Sequence, residues 1–121
     1  MAKTIMVIDD SPSMRQMVNF TLAAGGYIVI EATDGVDALG KCSAQKVDLF
    51  ITDLNMPNMN GIQLTRQLRA LPPYRFTPIV MLTTESQTDR KMEGKAAGAT
   101  GWVTKPFEPQ QILAVVKKVC P

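Results

Sequence analysis

The most informative segment of the chain is Leu49-Phe-Ile-Thr-Asp-Leu-Asn-Met-Pro-Asn-Met-Asn-Gly61. Its first four residues suit a buried parallel strand, and that strand must end at Asp53, because three asparagines, Pro57 and Gly61 follow within eight residues. In open α/β sheets, ligands bind in the crevice beyond the carboxyl ends of the strands. The pattern therefore predicts a carboxylate displayed at a ligand-binding edge.

Strand and helix patterns alternate five times along the chain. Short apolar runs predict the strands, and between them apolar residues recur at helical spacing after a capping residue or proline. The five predicted strands are residues 3–8, 27–32, 49–53, 79–82 and 101–104. This alternation predicts an α/β fold with a doubly wound, five-stranded parallel sheet and right-handed crossovers. We expect a flavodoxin-like three-layer sandwich of five βα units with strand order 2-1-3-4-5.

The fourth predicted helix, residues 86–98, has the weakest pattern. It contains Gly94 and many charged residues, and Met92 and the alanines are its only apolar anchors. Because little apolar area is available to hold it against the sheet, we expect it to be the least firmly packed helix.

Length and composition narrow the class of protein. At 121 residues with 45% hydrophobic residues, residues 1–121 are expected to form a single domain without an output domain, and therefore without a helix-turn-helix for DNA. The net charge of +2 is too small to argue for nucleic acid. No apolar run reaches the ~20 residues of a membrane span. Two distant cysteines and the lack of a signal-peptide pattern favour a cytoplasmic protein.

The chain contains no histidine. Ser-His-Asp hydrolysis, His-ligated zinc and phosphohistidine carriers are therefore excluded. Any chemistry has to use aspartate, lysine, threonine and serine side chains.

Four of the predicted strands lead into side chains that can act together. These side chains are Asp9 and Asp10, Asp53, Thr83, and Lys105. Because the carboxyl ends of parallel strands meet at one edge, we expect all of them in one crevice. Two carboxylates ~4 Å apart repel by about 4 kcal/mol at an effective dielectric of about 20, so the cluster needs a cation. An incomplete set of oxygen ligands, with room for water and phosphate, suits Mg²⁺ better than Ca²⁺.

A carboxylate beside Mg²⁺ and a lysine suits attack on phosphorus. In this interpretation the metal and Lys105 neutralise the phosphoryl oxygens, Thr83 donates a hydrogen bond, and Asp53 becomes an acyl phosphate. Such an anhydride hydrolyses readily, which suits a signal that has to be erased.

Taken together, the motifs resemble the response-regulator receiver domain family over the whole chain. The motifs are Asp9-Asp10-Ser11 with Arg15 following, Asp53-Leu-Asn-Met-Pro57 with Gly61, Thr83 after an apolar strand, Gly98-Ala-Thr-Gly-Trp102, and Lys105-Pro106-Phe107. The run from Asp53 to Gly61 and the expected lack of an output domain are similar, more narrowly, to the stand-alone chemotaxis regulators of that family.

The resemblance implies a metal-dependent phosphoacceptor site. Asp53 would accept a phosphoryl group from a sensor histidine kinase. Asp10, Asp53 and the backbone carbonyl of Asn55 would ligate Mg²⁺, and Asp9 would act through water. The protein would catalyse its own phosphorylation and dephosphorylation and would not be a conventional enzyme.

Other positions are implied to sense or tune the phosphoryl group. Thr83 and Lys105 would contact it, and the Lys105–Pro106 peptide bond is expected to be cis. Asn55 and Glu85 occupy the positions where the family tunes dephosphorylation, by screening or orienting the attacking water.

The resemblance also implies a switch that reports to a partner. Trp102 stands where the family usually has Tyr or Phe, and the larger indole lacks the phenolic hydroxyl, so its burial on phosphorylation is expected to be partial. Together with Trp102, the basic residues Arg90, Lys91 and Lys95 are predicted to form a surface for an acidic partner. The implied partners are the flagellar motor switch or another target protein, and a phosphatase. The simpler alternatives are a packing role for Trp102 and plain solvation of the basic residues.

Three other functions remain open at this point. The protein could be a phosphate sink or phosphorelay intermediate that never reaches the motor. A small-molecule phosphohydrolase would need a second carboxylate two residues after the nucleophile, where this chain has Asn55. A flavodoxin-like flavin carrier would need a phosphate-binding loop where Asp9 and Asp10 would repel the phosphate.

Overall fold

The computed structural model describes residues 2–84 and 90–121. Strands and helices alternate along the described chain, and a turn of 3-10 helix, Pro72–Tyr74, precedes the fourth strand. The strands are β1 (Thr4–Ile8), β2 (Ile28–Ala32), β3 (Leu49–Asp53), β4 (Ile79–Thr84) and β5 (Gly101–Lys105). The helices are α1 (Pro12–Ala24), α2 (Gly35–Ala44), α3 (Gly61–Ala70), α4 (Arg90–Ala97) and α5 (Pro109–Val119).

The strands form one parallel sheet in the order β2-β1-β3-β4-β5. The predicted flavodoxin-like fold is therefore confirmed. β4 runs two residues further than its sequence pattern predicts, because Thr83 and Thr84 pair with Thr104 and Lys105 of β5. This pairing extends the sheet as far as the strand ends that carry the predicted site.

Two apolar layers hold the helices on the sheet. α1 and α5 cover one face, where Val18, Leu22, Ile112 and Val116 pack on alternate residues of the strands. α2 and α3 cover the other face and form a second cluster. Its buried members are Met6, Ile8, Ala32, Ala38, Cys42, Val47, Phe50, Leu64, Leu68, Tyr74 and Ile79. A third, smaller cluster joins α3 and α4 near the carboxyl ends of β3 and β4.

The helix boundaries follow the capping residues in the sequence. Ser11 is the N-cap of α1, and Pro12 occupies the first helical position. Gly25 is the C-cap of the same helix. Asn60 and Gln63 form a capping box that starts α3 directly after the stretch from Asp53. No helix in the described ranges is long and apolar enough to cross a membrane.

The described part of α4 buries little apolar surface, as its composition predicts. Only Gly94 and Ala97 are buried in its described residues. The prediction that Met92 anchors this helix is wrong, because its side chain is 81% exposed. A residue two positions before Gly94 is rotated by about 200° around the helix axis and so points away from the sheet. Residues 86–89, where the pattern predicts the helix to begin, lie outside the described residues.

Candidate functional site

β3 delivers Asp53 to the carboxyl edge of the sheet. All five residues of the strand are buried, and the Asp53 side chain is only 12% exposed. Its Oδ1 accepts a hydrogen bond from the Leu54 backbone N–H at 3.0 Å and another from Lys105 Nζ at 3.0 Å. The carboxylate is therefore fixed at one oxygen by β5 and by its own strand end.

The turn after Asp53 depends on a close backbone approach at Gly61. The Gly61 N–H donates to the Leu54 carbonyl at 2.9 Å. A Cβ at position 61 would lie 2.6 Å from the Asp53 carbonyl oxygen, a distance no side chain tolerates. Further along the turn, Asn58 has a φ of 68° and its side-chain amide donates to Asp34 at 3.1 Å. The glycine thus allows α3 to begin directly against the backbone of Asp53.

β1 delivers Asp9 to the same edge, where the Asp9 carboxylate is buried. Its Oδ1 accepts from the Ser11 backbone N–H at 2.9 Å. Its Oδ2 is buried with no hydrogen-bond partner in the described part of the chain, and Lys105 Nζ lies 3.9 Å away. Burial raises the pKa of Asp9, the Ser11 hydrogen bond opposes that rise, and the charge of Asp53 adds to it. Asp10, the next residue, is exposed.

Asp9, Asp10 and Asp53 form an acidic cluster. One oxygen atom from each carboxylate lies within 4.8 Å of the others. Lys105 faces two of the three, so one ammonium is set against three carboxylates. The Oδ2 of Asp9 accepts no hydrogen bond from any described residue, and together with the all-oxygen donor set it fits a hard divalent cation. Asn55 is an exposed residue of the adjoining turn.

Thr83 lies on β4 and Trp102 on the neighbouring strand β5. The Thr83 hydroxyl is buried and has no hydrogen-bond partner in residues 2–84 and 90–121. Trp102 is half-buried, and its ring packs against the cluster that includes Met81 and Ala97. Its Nε1 is buried and likewise unpartnered within the described ranges. A Cβ on Gly94 would be 3.5 Å from Nε1, so the indole lies directly beneath α4.

Of the remaining predicted site residues, the structure describes those on α4 but not Glu85. Arg90 and Lys91 are half-buried and Lys95 is exposed, and Arg90 pairs with Glu93 at 3.7 Å. All three lie on α4, whose Gly94 lies against the Trp102 indole, and the surface that they are predicted to form with Trp102 stays a prediction. Glu85 lies outside the described residues. The Lys105–Pro106 peptide bond is cis, as expected.

The sequence did not predict a set of hydrogen bonds that leads from Asn19 and Glu31 through Arg15 to the backbone carbonyl of Asp9. Arg15 Nη1 donates to the Asp9 carbonyl at 2.7 Å, and Arg15 Nε donates to Glu31 at 2.8 Å. The Asn19 amide donates to the other Glu31 oxygen at 2.6 Å. The only hint in the sequence is that Glu31 is a single carboxylate within an otherwise apolar strand.

The sequence matches a known protein family and several of its members. The response regulator receiver domain family model matches residues 5–117. The alkaline phosphatase synthesis transcriptional regulatory protein PhoP of Bacillus subtilis is 38% identical over 119 residues, which are 98% of this chain and 49% of that protein. The chain therefore spans about half the length of such regulators. The chemotaxis protein CheY of Pseudomonas aeruginosa is 35% identical, with 95% of this chain and 94% of that protein covered.

A solved structure matches closely as well. The chemotaxis response regulator CheY4 of Vibrio cholerae superposes with a TM-score of 0.94 at 45% identity and covers 98% of this chain and 99% of that one. The chain belongs to the response regulator receiver domain family. Its structural neighbours include receiver domains of the CheY type. Receiver domains are signalling components of two-component systems and not a conventional enzyme family.

Proposed function

We propose that this protein is a phosphorylation-activated signalling protein in which Asp53 accepts a phosphoryl group from a sensor histidine kinase. The observation that carries the proposal is the Lys105 ammonium, 3.0 Å from Asp53 and 3.9 Å from Asp9, within a cluster of three carboxylates. Strong opposing charges at a strand-end crevice are typical of a functional site.

The chain's own residues account for most of the chemistry. Asp53 Oδ1 already accepts two hydrogen bonds, and no hydrogen bond to its Oδ2 occurs in the described part of the chain. Oδ2 is therefore the available nucleophile. As its bond to phosphorus forms, the bond from phosphorus to the donor nitrogen of the phosphohistidine, or to the donor oxygen of acetyl phosphate, breaks. Lys105 then transfers its hydrogen bond to a phosphoryl oxygen. The Thr83 hydroxyl, which has no hydrogen-bond partner within residues 2–84 and 90–121, donates to another.

Asp10, Asp53 and the Asn55 backbone carbonyl would hold Mg²⁺, with Asp9 acting through water. When bound, Mg²⁺ neutralises negative charge on the phosphoryl oxygens. Asn55 and Glu85 would tune the reverse reaction, hydrolysis of the aspartyl phosphate.

The target protein would bind to the surface formed by Arg90, Lys91, Lys95 and Trp102. Occupation of the Thr83 hydroxyl by a phosphoryl oxygen would draw this residue toward Asp53 and alter the space beside Trp102 and α4. A small buried face keeps alternative positions of α4 close in free energy, which a switch requires. The basic residues favour an acidic target segment.

For the target we propose the flagellar motor switch, with the protein acting in the cytoplasm during chemotaxis. The support is the 45% identity to CheY4 across nearly the whole of both chains and the match to CheY over 94% of its length. A phosphate sink or phosphorelay intermediate would use the same site without binding the motor. A phosphatase partner would act on the same aspartyl phosphate.

Labelling by acetyl phosphate tests the phosphoacceptor. We expect intact-mass spectrometry to show one added phosphoryl group in the presence of Mg²⁺ and none after chelation with EDTA. Asp53→Asn should abolish the adduct, while Glu108→Gln, which removes an exposed carboxylate from the start of α5, should not. An adduct that persists in Asp53→Asn would refute the assignment of Asp53.

A binding measurement distinguishes a protein that binds the flagellar motor switch from a phosphate sink that does not. We expect purified flagellar motor switch protein to bind the protein loaded with Mg²⁺ and beryllofluoride more tightly than the metal-free protein. Equal binding in both states would contradict a switched effector. Absence of binding, together with rapid removal of phosphoryl groups from the kinase, would establish the sink.

A further inference from the structure

A continuous line of hydrogen bonds connects α1 and β2 to the backbone of the acidic cluster. The Asn19 amide donates to Glu31 Oε2 at 2.6 Å, and Glu31 Oε1 accepts from Arg15 Nε at 2.8 Å. Arg15 Nη1 then donates to the Asp9 carbonyl at 2.7 Å. The planar guanidinium thus bridges a carboxylate on the edge strand and a main-chain oxygen at the end of β1.

The Asp9 carbonyl is well placed to orient two carboxylates. It belongs to the planar peptide unit that joins Asp9 to Asp10, so a fixed carbonyl direction fixes the plane from which both side chains leave. On the other side of Asp9, its N–H donates to the Ala32 carbonyl of β2 at 3.1 Å. Both peptide planes around Asp9 are therefore held, one by the sheet and one by Arg15.

Electrostatic attraction does not explain why an arginine contacts the backbone of the acidic cluster. A guanidinium in contact with the backbone of a cation site repels the incoming cation, so Coulomb's law alone would disfavour it. Glu31 offsets that charge at 2.8 Å. The hydrogen bond from Asn19, followed by the one from Arg15, lowers the pKa of Glu31, because both donors stabilise its ionised carboxylate. The Arg15 side chain is only 15% exposed, so its position is well defined.

We propose that Arg15 is a positioning residue of the acidic cluster and that Glu31 and Asn19 hold it in place. By fixing the peptide between Asp9 and Asp10, these residues set the affinity of the cluster for Mg²⁺. The inference rests on the proposed function, since it assumes that the cluster binds the metal.

Calorimetric titration of the unphosphorylated protein with MgCl₂ tests the proposal. Removing an orienting partner of a metal ligand typically lowers affinity 10- to 100-fold, and we expect Arg15→Gln to weaken Mg²⁺ binding about tenfold. Electrostatics alone predicts the opposite sign, because the substitution removes a positive charge beside the site. Unchanged or tighter binding in Arg15→Gln overturns the proposal.

Three further variants separate positioning from charge and from folding. Arg15→Lys keeps the charge without the planar fork, so it should also weaken binding, whereas a charge effect would leave it equal to the wild type. Glu31→Gln is nearly isosteric and should weaken binding in the same direction. Arg66→Gln removes an exposed arginine from α3 and is the matched control, with unchanged or slightly tighter binding.

The outcomes distinguish this inference from the proposed function. Failure of the wild type to bind Mg²⁺ refutes both. A wild type that binds Mg²⁺ and is labelled at Asp53, with Arg15→Gln and Glu31→Gln binding equally well, refutes only the positioning role. If thermal unfolding shows that Arg15→Gln is not folded, the result with Glu31→Gln decides.

Discussion

The turn that presents Asp53 and the helix that covers Trp102 lie at the same edge of the sheet but are held very differently. The turn follows a wholly buried strand, is bonded back on itself by Gly61, and leads into a capped helix. α4 buries only Gly94 and Ala97 among its described residues and turns Met92 to solvent.

This difference matches two physical requirements. Transfer of a phosphoryl group needs groups held to within a fraction of an ångström, because misplaced groups lose most of their catalytic effect. A surface that changes on signalling needs alternative arrangements separated by only a few kcal/mol. A firmly bonded turn supplies the first property, and a helix with little buried area supplies the second.

The largest effect should come from the ammonium in the firmly held region. Lys105→Met removes the donor 3.0 Å from Asp53 and should slow labelling by acetyl phosphate about 100- to 1,000-fold. The initial rate at saturating Mg²⁺ is the measurement. Lys117→Met, on the exposed face of α5, is the control and should react at the wild-type rate. A rate within a factor of two of wild type for Lys105→Met would remove Lys105 from the mechanism.

Truncations in neighbouring helices compare the packing directly. Leu64 of α3 is fully buried, so Leu64→Ala should lower the free energy of unfolding by about 2–5 kcal/mol. Met92→Ala in α4 should change it by less than about 0.5 kcal/mol, because that side chain is 81% exposed. Urea denaturation gives both values. Similar losses from the two truncations would show that α4 is held as firmly as α3.

Paired glycine substitutions probe the turn itself. Gly61→Ala places a Cβ against the Asp53 carbonyl and should cost about 1–3 kcal/mol of stability while slowing phosphorylation. Gly40→Ala in α2 meets open space and should stabilise the protein by about 0.5–1 kcal/mol. Denaturation midpoints and labelling rates of the two variants are compared. If Gly61→Ala is neutral in both assays, the close approach does not constrain the site.

The smallest expected effect is the pH dependence contributed by Glu31. Its hydrogen bonds from Asn19 and Arg15 lower its folded-state pKa below the unfolded value of about 4.3. The stabilisation is therefore present above that pH and is lost as the pH falls through the lower, folded-state pKa. Because the side chain is partly exposed, Glu31→Gln should cost about 0.2–1 kcal/mol at pH 7.

The difference in the free energy of unfolding between Glu31→Gln and the wild type should decrease at acidic pH. Urea denaturation at pH 7 and at about pH 3 measures the gap between the two proteins, which should narrow as Glu31 becomes protonated. A gap that is constant across this range would show that the carboxylate charge of Glu31 does not contribute.

Much of the fold and the meeting of the site residues could be predicted because the relevant signals are local. Apolar runs mark the buried strands, Ser11 with Pro12 and Asn60 with Gln63 mark helix starts, and parallel strands must bring their carboxyl ends to one edge. The approach of Lys105 to Asp53 follows from that rule alone. The outward position of Met92 did not follow, because composition does not specify which face of a weakly amphipathic helix meets the sheet.

The amino-acid pattern alone predicts the alternation of strands and helices, the acid at the end of β3 and the lysine that faces it. The residues that contact the backbone of Asp9 became evident only in the folded protein. Arg15 and Glu31 are sixteen residues apart on different elements, and they meet only because β2 pairs with β1 at the sheet edge beside α1. Periodicity along a chain specifies the buried side of each element, but contacts between elements depend on register and helix rotation, which packing of the whole core sets.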